Sequence, residues 1–219
     1  RFGQSTIPAN LENVVAISAG GIHSLALRAD GTVVAWGYNG GGQSTVPSGL
    51  DNVIAVSAGE SHNLALRDDG TVVAWGSNIY GESSIPSGLV DVVEISAGGV
   101  QSLSRLSDGS LVTWGSSLHG LNTIPSTAQN VEAIATGENH SLALKQDGSI
   151  VAWGSNGHGQ SSAPSAINRI VSLSSGVTHS LAIREDGSVA AWGENIHGQS
   201  NVPSSLFDVQ QVAGGLGQR

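Results

Sequence analysis

The sequence predicts an all-β fold, a β-propeller built from one 39-residue repeat, and three observations lead there. Trp36, Trp75, Trp114, Trp153 and Trp192 follow one another at a constant spacing of 39 residues, the mark of one unit copied and stacked. Each tryptophan closes a short apolar run ending in glycine, as in Val33-Val34-Ala35-Trp36-Gly37. An Asp-Gly dipeptide precedes every run, at Asp30-Gly31, Asp69-Gly70, Asp108-Gly109, Asp147-Gly148 and Asp186-Gly187. Between apolar runs this pair marks a hairpin, because such turns require positive φ, which Gly and Asp tolerate.

The second copy shows the expected elements in order. Residues 52–59 are rich in β-branched and small side chains, which suits a strand buried on both faces, strand a. Residues 62–67 resume alternation and end on a charge, strand b. After Asp69-Gly70 comes strand c, residues 71–75, and after the loop 77–81 a short strand d, residues 82–85, ends at Pro86. Pro8, Pro47, Pro86, Pro125, Pro164 and Pro203 share one phase. Proline is tolerated at an edge or a strand end, so strand d is expected on the outside of each unit. Four short antiparallel strands per repeat, with no helical period, describe a propeller blade. A β-helix, with shorter coils and no Asp-Gly hairpins, and a sandwich, with no strict period, fit less well.

The 219 residues hold about 5.6 repeats, with units near 11–49, 50–88, 89–127, 128–166 and 167–205 and partial units at 1–10 and 206–219. The chain reads as a single propeller domain or a fragment of a larger one, with an open arc or a six-bladed ring as alternatives. Residues 2–8 form an isolated d segment, expected to close a ring against the last blade.

Composition narrows function. With no cysteine, disulfides and thiolate metal sites are excluded. A formal charge of −9 with only eight Lys and Arg lacks the electrostatic footprint of a nucleic-acid binder. No apolar run nears the ~20 residues that span a bilayer, so membrane insertion is not expected.

The segment Ser18-Ala19-Gly20-x-x-His23-Ser24-Leu25-Ala26-Leu27, followed by Asp30-Gly31-x-Val33-x-Ala35-Trp36-Gly37-x-Asn39-x-x-Gly42-Gln43-x-x-x-Pro47, resembles the repeat of the regulator of chromosome condensation superfamily. It is most similar to the compact bacterial branch that includes the propeller-type β-lactamase inhibitor protein. The resemblance spans essentially the whole chain. It implies a seven-bladed parent and a role as interaction platform, inhibitor or exchange factor.

Four columns of repeated residues have structural explanations. His23, His62, His140 and His179 share a phase with Gln101 and Gln218. Glutamine keeps hydrogen bonding but neither ligates zinc comparably nor shuttles protons, so this column is expected to tether neighbouring loop backbone. The aspartates sit in turn slots on separate blades, too far apart to act in pairs. The tryptophans are expected to pack between blades. No cofactor, metal or catalytic residue is called for.

The columns where copies disagree carry more information. After the Ala-Gly or equivalent pair stand Gly21-Ile22, Glu60-Ser61, Gly99-Val100, Glu138-Asn139 and Val177-Thr178; after Trp-Gly stand Tyr38, Ser77, Ser116, Ser155 and Glu194. Loop tips then vary as Ile79-Tyr80, Leu118-His119, Gly157-His158 and Ile196-His197. In an up-and-down blade the a–b and c–d loops share one face, so the variation gathers there. The candidate binding residues are Tyr38, Glu60, Ile79, Tyr80, Leu118, His119, Glu138, Asn139, His158, Glu194 and His197. Their composition suits recognition better than catalysis. The expected function is non-catalytic binding of a protein partner of unknown identity. Carbohydrate binding through Tyr80 and the exposed histidines is the alternative. Inhibition of a bacterial enzyme such as a β-lactamase is a third reading, although the slots that carry aromatics in that inhibitor here read Glu60-Ser61, Gly99-Val100 and Glu138-Asn139. Ser/Thr/Asn-rich loops and a strict repeat place the protein outside or on the surface of a bacterial cell.

Overall fold

The computed structural model describes residues 2–165 and 167–215, which form five antiparallel sheets in chain order. Blade 1 holds β1 (Val14–Ala19), β2 (His23–Arg28) and β3 (Val33–Gly37); blade 2 holds β4 (Val53–Ala58), β5 (His62–Arg67) and β6 (Val72–Gly76). Blade 3 holds β7 (Val92–Ala97), β8 (Gln101–Leu106) and β9 (Leu111–Gly115), and blade 4 holds β10 (Val131–Thr136), β11 (His140–Lys145) and β12 (Ile150–Gly154). Blade 5 holds β13 (Ile170–Ser175), β14 (His179–Arg184) and β15 (Val189–Gly193). The middle strand pairs on both sides in every blade.

The first strands lie innermost. β1, β4, β7, β10 and β13, with residues 213–215, line a central channel of about 420 Å³. Neighbouring inner strands are joined by serine: Ser18, Ser57 and Ser96 Oγ accept from the amides of Ala58, Ala97 and Thr136, and Ser174 Oγ from that of Gly214. The chain at Gly214 therefore takes the place that an inner strand fills in the blades before it, without strand pairing among the described residues. Each inner strand opens with a β-bulge, which turns Val15, Ile54, Val93 and Val171 outward. Beyond the bulge the inner strands of blades 2 to 5 are buried or half-buried, whereas β1 keeps Ile17 and Ala19 exposed.

The core is a series of interfaces between blades. Leu64 and Leu66 of blade 2 meet Val92, Ile95, Ala97 and Trp114 of blade 3, and each fully buried leucine contributes roughly 1.5–3 kcal/mol. Where no preceding blade stands, the same position is bare: Ile17 is 77% exposed against 9% for its counterpart Ile95.

The fourth strand is absent. Residues 82–85 are turn and irregular backbone, and every described sheet has three strands. The segment nevertheless fills an outer place, but beside the following blade. The carbonyl of Gln43 accepts from Trp75 Nε1 at 3.1 Å and from Asn63 Nδ2 at 2.8 Å, both in blade 2. Glu82 serves blade 3 and Gln160 blade 5 in the same way. One doubly used carbonyl replaces a ladder, which is why no strand forms. The N-terminal segment follows suit: the Gln4 carbonyl accepts from Trp36 Nε1 and Ser24 Oγ. It covers blade 1, where a role against the last blade was expected.

The Asp-Gly hairpins are three-residue loops. Gly31 N donates to Arg28 O and Arg28 N to Thr32 O. Gly31 alone in the loop has positive φ, at 78°, the arrangement of a turn followed by a G1 bulge.

Candidate functional site

The loops at the two ends of a blade are built for different tasks. At the hairpin end, Asp30 Oδ1 accepts from Thr32 N, and Asp69, Asp108, Asp147 and Asp186 repeat the bond. The hydroxyl of the same Thr or Ser first, and this amide bond next, hold all five carboxyls below the usual range, Asp147 at about 2 with further help from Lys145. The aspartates are consumed in turns. Among the described residues no group of three or more His, Cys, Asp or Glu could hold a metal.

The histidine column is internal. His23 Nε2 lies 2.6 Å from Asn63 Oδ1, His62 Nε2 3.0 Å from Ser102 Oγ and His140 Nε2 2.8 Å from Ser180 Oγ, each partner in the next blade. Asn63, Ser102 and Ser180 donate in turn to the carbonyls already met at Gln43, Glu82 and Gln160. The rings therefore tether a neighbouring strand side chain, where loop backbone was expected. Gln101 keeps the link in reverse: its Oε1 accepts from Ser141 Oγ, while its Nε2 donates to the Leu121 carbonyl and Thr113 Oγ1. Burial pushes His62 and His140 down to about 4, so both are neutral at physiological pH. His179, at the far side of blade 5, is half-buried. Gln218 lies outside the described residues.

The opposite end carries the variable loops, and backbone bonds lock them in pairs. Tyr38 N donates to Ile22 O, Ser77 N to Ser61 O, Ser116 N to Val100 O, Ser155 N to Asn139 O and Glu194 N to Thr178 O. Each c–d loop is also braced from within. Asn39, Asn78, Asn156 and Asn195 Oδ1 accept an amide five residues on. Gln43, Glu82, Gln160 and Gln199 accept one two residues back. The third copy has Ser117 and Leu121 at these positions. Lacking both acceptors, it folds into a 3-10 turn, Leu118–Gly120, with His119 at φ 57°, a conformation uncommon outside glycine.

All eleven candidate binding residues lie at this end. Ile79 is 83% exposed and Tyr80 51%; Leu118, His119, His158, His197 and Glu60 are also exposed. Tyr38, Glu138, Asn139 and Glu194 are partly covered. Burial raises Glu60 above the usual carboxylate range, and the charge of Glu138 adds to the effect. Glu194 is held low, first by the hydroxyl of Thr178 and further by His158, whose Nδ1 lies 3.7 Å from it. Two members of the row were not among the candidate binding residues, although Ile196 stands among the varying tips. Ile196 is 75% exposed, and Phe2 sits edge-on to Tyr38 with ring centroids 4.7 Å apart. Phe2 shares the phase of Tyr80 and His119, a signal present in the sequence.

An arc of antiparallel blades around a channel, joined by side-chain links at 40-residue separations and presenting its variable loops on one end, defines a repeat propeller. Residues 14–43, 53–82, 131–160 and 170–199 match the regulator of chromosome condensation (RCC1) repeat, and the chain belongs to that family. The unmatched copy is the third, the one that has lost its histidine and loop braces. Solved structures agree. Yeast RCC1 (Prp20) bound to Kap60 superposes with a TM-score of 0.75 at 20% identity, covering 95% of this chain and 67% of that one. Prp20p from Saccharomyces cerevisiae, described with its binding to Gsp1p and histones, gives 0.63 at 17%, covering 95% and 82%. The CRINKLY WD40 ectodomain of the Arabidopsis thaliana receptor kinase ACR4 gives 0.69 at 26%, covering 82% and 65%. The chain thus spans about two thirds of two of these relatives. No curated protein matches the chain in sequence.

Proposed function

We propose that the protein is a non-catalytic interaction module that binds a protein partner through the a–b and c–d loops. One observation carries this reading: internal variation concentrates in loops that backbone bonds gather at one end, and their tips leave Ile79, Tyr80, Leu118 and Ile196 bare. A rigid scaffold with a varied, partly apolar rim is the arrangement of a recognition surface. Yeast RCC1 was solved bound to a protein, Kap60, which supports the class of partner without naming this one. The setting expected from the sequence, outside or on a bacterial cell, belongs to the same proposal.

A photo-crosslinking residue placed at Tyr80, and in a control at Asp108 on the hairpin end, tests the reading in an extract of the source cells. A discrete protein adduct from position 80 alone is expected. Adducts from position 108 alone, or glycan-array binding lost in Tyr80→Ala, would overturn it and favour the carbohydrate alternative in the second case.

A further inference from the structure

The positive charges among the described residues are gathered at one end. Arg28, Arg67, Arg105, Lys145 and Arg184 lie at or near the hairpin ends of the middle strands, and Arg169 pairs with Glu185 there at 3.2 Å. These six are all the Lys and Arg among the described residues. Among the described residues the loop end therefore carries none, while Glu60, Glu138 and Glu194 lie on it.

Two of these acids directly follow the inner strands that line the channel. The inner strands reach the loop end at residues 17–20, 57–58, 96–97 and 134–136, where they line its opening with serine, threonine, alanine and glycine. The glutamates follow directly in the a–b loops. The Glu60 side chain leans over Gly21 of blade 1 and that of Glu138 over Gly99 of blade 3, where a Cβ would collide with each Glu backbone. Glycine and glutamate thus alternate over the first four blades, and each glutamate packs on the glycine of the blade before it. Outside them runs the row of exposed apolar tips.

Resting on the loop-end reading above, we propose that the partner is a cationic protein segment, which sets a Lys or Arg side chain at the channel mouth between Glu60 and Glu138 and its apolar side chains on Ile79, Tyr80 and Ile196. Charge complementarity selects this occupant: among the described residues an acidic segment would meet three carboxylates and no Lys or Arg, whereas a cation relieves the repulsion between Glu60 and Glu138. Burial first, and the charge of Glu138 next, raise the Glu60 carboxyl, which accords with two acids near enough to repel.

The test uses three fluorescent peptides of equal length, alternating Lys-Leu, Glu-Leu and Ser-Leu, with anisotropy measured at low and high salt. The Lys-Leu peptide is expected to bind more tightly than the others, to weaken as salt rises, and to lose about tenfold in affinity in Glu60→Gln/Glu138→Gln. That loss corresponds to about 1.4 kcal/mol. Asp69→Asn/Asp147→Asn on the hairpin end should change nothing. An unchanged melting transition shows that the Gln pair is folded, and a fall in the Glu60 carboxyl pKa on adding peptide, followed by NMR, supports contact directly. Binding that ignores salt and the Gln pair but fails in Tyr80→Ala/Ile196→Ala overturns the cationic assignment and leaves the loop-end site standing. Binding moved only by the Asn pair, or equal binding of all three peptides in every variant, overturns both. No binding of the Lys-Leu peptide overturns the cationic assignment.

Discussion

Nδ1 of His158 lies 3.7 Å from Oε1 of Glu194, in the same slot where Phe2 meets Tyr38 edge-on. In each pair the two residues are 36 apart, one on the tip of a c–d loop and the other just after Trp-Gly of the following blade. Two tips of the loop row therefore rest on the neighbouring base, through a histidine–carboxylate contact at one place and an aromatic one at another. A geometry that accepts either chemistry explains how these columns vary while the loops keep their places.

The tryptophans should prove structural. Trp153 is buried, and its Nε1 donates to the carbonyl of Leu121 at 2.9 Å. Trp153→Ala is expected to lower stability by about 3–5 kcal/mol. Trp153→Phe, which keeps most of the packing and leaves the Leu121 carbonyl its bond from Gln101 Nε2, should cost only about 0.5–1.5 kcal/mol. Urea denaturation followed by circular dichroism checks both, and equal losses would show that the indole bond adds nothing.

Much of this was legible in the sequence because repetition multiplies weak signals. The period, the turn at Asp-Gly, the inward tryptophans and the loop end all follow from residues that recur at fixed offsets. What was not legible depended on partners 20 to 40 residues away. Nothing local says that the Gln43 carbonyl serves Trp75 and Asn63 of the next blade, so residues 82–85 read as a strand of their own unit. Nor does His62 announce Ser102. The refolded third loop needed the knowledge that Gln43 and its counterparts brace their own loops, since only then does Leu121 mean the loss of a brace.

Acid should weaken the blade interfaces through histidine. His62 and His140 stay neutral down to about 4 in the folded protein, whereas an unfolded chain protonates them near 6.5. A depressed folded value favours the neutral form, so this stabilisation is complete above pH 6.5. It falls as pH drops from 6.5 towards 4 and levels off below that. Each ring contributes about 3 kcal/mol over the window. His62→Gln, which copies the natural choice at Gln101, should flatten the dependence of the urea midpoint between pH 4 and 6.5; an unchanged slope would rule out His62 as a source.

Restoring the missing brace should reshape the third loop. In Leu121→Gln the new Oε1 can accept the His119 amide, as Gln160 accepts that of His158, and Nε2 can reach Ser116 as Gln160 reaches Ser155 at 3.3 Å. His119 is expected to leave the positive-φ region, with stability changed by no more than about 1 kcal/mol because an apolar side chain leaves a fully buried site. The His119 three-bond HN–Hα coupling reports the change, and a coupling still typical of positive φ would show that Ser117, not Leu121, dictates the turn.

The third blade also replaces an apolar contact with an ion pair, and the pair should behave as a unit. Glu94 stands where the other blades have Ala16, Ala55, Ala133 and Ser172, and Arg105 where they have Leu27, Leu66, Leu144 and Ile183. Their side chains meet at 2.8 Å and are 29% and 20% exposed, while Glu94 Oε1 also accepts from the Ile134 amide of blade 4. Removing one partner leaves a half-covered charge. Glu94→Ala or Arg105→Leu alone should each cost about 1–2 kcal/mol, the value for a buried pair reduced for the remaining water contact. The double variant recreates the Ala–Leu contact of the other blades, whose burial offsets the lost ion pair. It should therefore stand within about 1 kcal/mol of the parent, giving a coupling of about 1–3 kcal/mol in the double-mutant cycle. If the two single losses simply add, the charges do not depend on each other, and the Glu94 bond to Ile134 would be what the blade has kept.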